Sequence, residues 1–201
     1  QAELERSAAE YSVAPDGRVV RAAELSAEEL DAAVAEVLDR VPADYGLPRS
    51  SASDSRALAE AADALTELLG SVDAGFPLTI HVSESSASMT GGGLGEDIDF
   101  ELTEKALELR GRLGSERTGR ITALILRRAD GKDGRVGIEP VFDRIPPCAG
   151  SASRYPFWEP VVREMLHRDP EWQPSWLPEV TALMERAGID VEASAAGSGS
   201  R

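Results

Sequence analysis

The stretch Arg120-Ile121-Thr122-Ala123-Leu124-Ile125-Leu126-Arg127-Arg128, followed by Asp130-Gly131-Lys132-Asp133-Gly134 and the run from Arg135 to Phe142, reads as a β-hairpin. Ile121, Leu124, Ile125 and Leu126 make the first arm apolar on both faces, which predicts a strand in the middle of a sheet. The Asp-Gly pairs supply the positive-φ positions of a tight turn. The second arm carries Pro140, which has no N–H to donate, so it belongs at a sheet edge.

Upstream of the hairpin, Phe76 to Ser83 alternates Leu78, Ile80 and Val82 with Thr79, His81 and Ser83, the pattern of a half-buried strand. Asp97-Ile98-Asp99-Phe100-Glu101-Leu102 alternates in the same way, and a period of two predicts a fourth strand. Its three carboxylates would share one face and its three apolar residues the other. It is expected to lie antiparallel to Phe76–Ser83, joined by a flexible serine- and glycine-rich connection from Glu84 to Glu96. Thr103 is then read as the cap of a helix through Leu113 that turns Ala106, Leu107 and Leu109 inward, with Gly114 as its stop.

Helices flank this sheet. Ser26-Ala27-Glu28-Glu29 is a capping box, and Leu30, Val34, Val37, Leu38 and Val41 recur at helical spacing until Pro42. A polar break from Pro48 to Ser55 leads to a second amphipathic helix with Leu58, Ala61, Ala62, Leu65, Leu68 and Leu69 on one side, ending at Gly70. Near the C-terminus, helices are expected from about Glu159 to His167 and from about Leu177 to Ala187, with Asp169-Pro170 forcing a bend between them. The expected fold is therefore α+β: an antiparallel sheet of about four strands with N-terminal and C-terminal helices packed on it. Residues 1–25 read as an arm, in which Pro15-Asp16-Gly17 and Val19-Val20 offer a turn and a short strand. Residues 26–192 read as one domain with an aromatic-rich helical region over 151–192, and 193–201 as a disordered tail or appended linker.

The chain has 201 residues, 42% of them hydrophobic, enough for a sizeable core, and a formal net charge of -15. Sixteen acids against six bases fall between Gln1 and Gly75, whereas Phe76 to Ile145 holds twelve against ten. Such a balance disfavours nucleic acid and anionic membrane as direct partners and speeds encounter with a basic protein. Cys148 is the one cysteine, so no intrachain disulfide can form, and a reducing cytoplasm is the expected compartment. No run reaches the roughly 18 apolar residues of a membrane span, and Gln1 to Glu10 lacks the regions of a signal peptide.

The acidic alternation is the first candidate site. Asp97, Asp99 and Glu101, about 7 Å apart on one strand face, would repel one another unless a cation or basic side chains answered them. They are expected to bind a basic protein partner. Arg127, Arg128 and Arg135 are the intrachain alternatives. A small metal-dependent or small-molecule-binding enzyme built on His81 and the same carboxylates is the competing reading, since carboxylates suit hard cations and imidazole suits transition metals. No spacing here matches a known ligand set, and no metal or cofactor is expected. The glycines 91–93 and 95 lack the Gly-Lys-Ser/Thr ending of a phosphate loop, and Glu96 and Asp97 would oppose phosphate. No Gly-x-Ser-x-Gly elbow or catalytic triad is visible, and His167 has only Asp169 nearby. Cys148 beside two prolines reads as a passive thiol. No catalytic residue is assigned. Trp172 and Trp176, among five of the ten aromatics concentrated in 22 residues, either lock the C-terminal helices or anchor a protein interface.

The Val41-Pro42-Ala43-Asp44-Tyr45 turn, the Leu-rich helix from Ala106 to Leu113, the Asp130-Gly131-Lys132 turn and the return strand ending Val141-Phe142-Asp143 are similar to bacterial toxin-immunity proteins called YezG-like. The tail from Leu166 to Leu177, with Asp169-Pro170-Glu171-Trp172-Gln173-Pro174-Ser175-Trp176, resembles the Pro- and Trp-containing ends of small immunity proteins. The resemblance spans roughly Thr103 to Leu177. It implies a cytoplasmic antidote that binds a toxin domain and covers its active site. Toxic nucleases are often basic because they bind polyanions, so acid on the antidote would mimic nucleic acid.

Overall fold

The computed structural model describes residues 11–13, 19–21, 23–48, 52–70, 72, 75–83, 86–90, 94–128, 134–148 and 151–191. It is an α+β fold with a four-stranded antiparallel sheet. The chain forms two compact units, one from residues 1–40 with 175–201 and one from Val41–Pro174. Among the described residues, no helix is long and apolar enough to cross a membrane.

In the first unit, strands β1 (Tyr11–Val13) and β2 (Val19–Arg21) pair antiparallel, so the expected arm contains a short hairpin. Its Pro15-Asp16-Gly17 turn lies outside the described residues, as does the tail 193–201. Helix α1 (Ala27–Asp39) starts at the predicted capping box: the Ser26 amide donates to Glu29 Oε2 at 2.8 Å, and the Glu29 amide donates to Ser26 Oγ at 3.3 Å. It buries Leu30, Val34, Val37 and Leu38 and packs against helix α5 (Leu177–Arg186), which buries Leu177, Val180 and Met184. Arg40 pairs with Glu179 across the two helices, and Arg186 Nε with Glu24 at 3.2 Å. The N-terminal helix thus finds its apolar partner at the far end of the sequence.

The second unit holds helix α2 (Ala52–Leu69), strands β3 (Leu78–Val82) and β4 (Ala87–Thr90), helix α3 (Glu96–Arg112), and the short strands β5 (Gly114–Ser115) and β6 (Gly119–Arg120). Strands β7 (Ala123–Arg128) and β8 (Val136–Val141), helix α4 (Trp158–Met165) and a 3-10 turn at Pro170–Trp172 complete it. The sheet order is β4-β3-β7-β8, every pair antiparallel. The hairpin arms sit as read, with β7 inside and β8 at the edge, Pro140 facing Leu124. The turn 129–133 lies outside the described residues.

Alternation sorts the sheet residues. Leu78, Ile80, Val82, Leu124, Leu126 and Val136 pack against Ala57, Ala61, Leu65 and Leu69 of α2 and Leu102, Ala106 and Leu109 of α3. Ala123, Ile125 and Val141 form a smaller buried cluster of their own, and the intervening residue His81 shares their parity. At the end of α2, Arg128 donates to the carbonyls of Leu69 and Val72 and lies 4.7 Å from the Phe76 ring centroid, satisfying carbonyls the helix leaves open.

Three local expectations fail. The fourth strand is Ala87–Thr90, inside the segment read as a flexible connection; Ser88 and Thr90 face the side of His81 and Thr79, and Ala87 and Met89 reach the main core. Helix α2 begins at Ala52, within the expected polar break, where Asp54 in the first turn suits the helix dipole. Third, Asp97 to Leu102 is helical, the first turns of α3.

Candidate functional site

The alternation at residues 97–102 is overridden by a longer helical period. Ile98, Leu102, Ala106, Leu109 and Leu113 recur at helical spacing, and the last four are at most 2% exposed. Glu96, Asp97 and Asp99 fall in the first turn, where carboxylates complement unpaired amides. Gly95, at φ 107°, supplies the entry without a side-chain cap. Thr103 is therefore mid-helix, its hydroxyl donating back to the Phe100 carbonyl at 2.7 Å.

This correction redistributes the predicted site. Asp97 and Glu101, four apart, project together from α3, while Asp99 turns partly inward and its Oδ1 is buried without a hydrogen-bond partner. Phe100, expected in the core, is 64% exposed. Around it stand Glu96, Asp97, Glu101 and Glu104, all exposed and forming no ion pair with the described residues. Farther along, Lys105 pairs with Glu108 at 3.2 Å and Arg112 with Glu60 at 2.6 Å. The arginines offered as intrachain neutralisers are engaged elsewhere: Arg127 with Glu139, Arg135 with Asp63, Arg128 with the end of α2. An aromatic ring set among unanswered carboxylates is thus the outward feature of α3.

His81 is not brought to those carboxylates. It projects from the opposite sheet face to the one α3 covers, is 4% exposed, and has Nε2 3.2 Å from Cys148 Sγ. The Phe157 ring lies against it, centroids 5.5 Å apart and tilted 35°. Burial lowers the His81 pKa to about 4 and raises that of the Cys148 thiol, so at neutral pH both groups are uncharged. That is a thiol–imidazole hydrogen bond, not an activated thiolate. Among the described residues, no three His, Cys, Asp or Glu side chains gather as a metal site. Sequence reasoning missed this contact because 67 residues separate its members.

One buried and one half-buried ion pair were also missed. Arg168 Nη1 donates to Asp143 Oδ1 at 2.8 Å, and its Nη2 to the Phe142 carbonyl at 2.8 Å. Asp143 Oδ2 accepts from the Leu47 amide at 2.9 Å, tying the Val41–Leu47 segment to the end of β8. Arg110, 4% exposed, donates to the Ile121 carbonyl and pairs with Glu164 of α4. Both guanidiniums fix segments of the second unit and present no open charge.

The two tryptophans predicted at the interface differ. Trp176 is 7% exposed at the start of α5 in the first unit, while Trp172, half-buried in the second, has a carbonyl that accepts from Arg168 at 3.5 Å. Comparison of this chain with protein-family models, curated proteins and solved structures finds no match.

Proposed function

We propose that this chain is a non-enzymatic, acidic protein-binding module, an immunity or inhibitor protein that neutralises a basic toxin such as a nuclease by covering its active site. The observation that carries the reading is the outer face of α3, where Phe100 stands 64% exposed among carboxylates without ion-pair partners in the described structure. Like charges at Asp97–Glu101 and Glu104–Glu108, four residues apart, each cost about 0.2–0.5 kcal/mol in a helix. A partner that brings arginine or lysine to this face relieves that repulsion and desolvates the ring, combining charge steering with an apolar anchor. The net charge of -15 and the resemblance to toxin-immunity proteins support the same reading.

The experiment starts from the genes that flank this one: a basic nuclease domain found there is purified for an inhibition assay, and the absence of any toxin gene counts against the reading. The wild-type chain is expected to block cleavage of a DNA or RNA substrate. The triple variant Asp97→Lys, Glu101→Lys, Glu104→Lys should keep its circular dichroism spectrum and lose the block. Equal inhibition by both, with equal salt dependence, would remove α3 from the docking surface, and no inhibition by either would remove the reading itself. Asp99 is left unchanged because its carboxylate is partly buried.

A further inference from the structure

We propose that the His81–Cys148 contact is an acid-released latch: protonation of the imidazole detaches Cys148 and Phe157 from His81 and uncovers the chain's single thiol.

The latch follows from where β3 puts His81. Its sheet neighbours in register are Ser88 on β4 and Ala123 on β7, neither of which can balance a charge. Against the ring lie Cys148 and Phe157, and the Cys148 amide donates to the Arg154 carbonyl at 2.7 Å. A cavity of about 10 Å³, the size of one water, touches His81 between Ser83, Ser86, Ser88, Phe157 and Val161. The groups facing the imidazole are therefore hydroxyls, a thiol, a phenyl ring and aliphatic carbon. No carboxylate or cation among the described residues faces it, and the acids of α3 lie beyond the other side of the sheet.

With the ring proton on Nδ1 the neutral Nε2 accepts the S–H hydrogen, and with it on Nε2 that N–H donates to Sγ. In either case a second proton makes both ring nitrogens donors and leaves an imidazolium with no counter-charge inside apolar packing. Moving Cys148 and Phe157 off the ring lets water solvate the cation, and that costs less than keeping it buried. The depressed pKa of His81, caused by burial, agrees with this balance. Movement is confined to the segment that touches the ring, because the helices α2 and α3 are held by a separate core on the other face.

Thiol labelling reads the latch. Wild-type protein is treated with 4,4′-dithiodipyridine from pH 7 down to pH 4, each rate divided by that of N-acetylcysteine at the same pH. The ratio is expected to rise by about tenfold or more with far-UV circular dichroism unchanged. In His81→Leu, uncharged at every pH, the ratio should stay flat. A flat wild-type ratio overturns the proposal, and so does the same rise in His81→Leu, which would assign it to general acid unfolding. Should that variant fail to fold, NMR of the wild type decides. Amides over 151–157 must lose exchange protection at the midpoint of the His81 ring titration while β7 stays protected; His81 titrating with no such loss contradicts the latch.

Discussion

At the residue scale, Arg168 shows how the second unit is held. Its side chain and that of Asp143 are 0% and 2% exposed, and Gly119, at φ 89°, lies so close that a β-carbon there would stand 2.4 Å from the guanidinium carbon. Removing one member of a buried pair strands the other, so Arg168→Met should cost about 3–5 kcal/mol in urea denaturation. Gly119→Ala meets both the positive φ and the guanidinium, and a loss of at least about 1–3 kcal/mol is expected. A loss below 0.5 kcal/mol for either, roughly what an open surface position gives, would show that the pair is not the fastening described. His81 adds a pH dependence. Its folded pKa of about 4 lies below the ordinary value of 6.5, so the contribution is complete above pH 6.5, declines as pH falls from there, and is gone below pH 4. The size is on the order of 3 kcal/mol. Subtracting the His81→Leu curve from the wild-type stability curve should isolate that slope, and parallel curves would refute it.

At the element scale, α3 decides between two readings of one hexapeptide. Six residues of alternating polarity satisfy a strand, but seventeen residues with buried Leu102, Ala106 and Leu109 satisfy a helix, and the longer pattern buries more apolar surface. Leu102→Ala should therefore destabilise by about 2–5 kcal/mol, whereas Phe100→Ala should change stability by less than about 0.5 kcal/mol. On a strand both residues would point into the core and both would be costly. The elements legible in the sequence were those with unambiguous end signals: the capping box at Ser26, the apolar run of β7, Pro140 on the edge strand, Pro170 at the bend. What stayed hidden was Ala87–Thr90, where Met89 is the one large apolar residue and strand character comes from pairing with β3 rather than from composition. The site was only half legible: the acids could be read, but their arrangement around an exposed ring depended on the helical period, and the His81–Cys148 contact on tertiary folding.

At the scale of the whole molecule, charge is the leading fact. A net -15 favours solubility and repels polyanions, and among the described residues Glu96, Asp97, Glu101 and Glu104 of α3 form no ion pair. Self-repulsion of this kind is screened by salt, so the melting temperature should rise with ionic strength; a fall would mean that the paired arginines outweigh the unpaired acids. The proposed docking through α3 should respond in the opposite direction, because a charge-steered encounter weakens as salt rises. The most direct test is calorimetric titration of a basic nuclease domain, the proposed partner, at low and high salt against wild type and the Asp97→Lys, Glu101→Lys, Glu104→Lys variant. Docking on the acidic face of α3 predicts tight wild-type binding that weakens with salt, and binding by the variant that is lost at both. Salt-independent binding, equal in the two proteins, would contradict it.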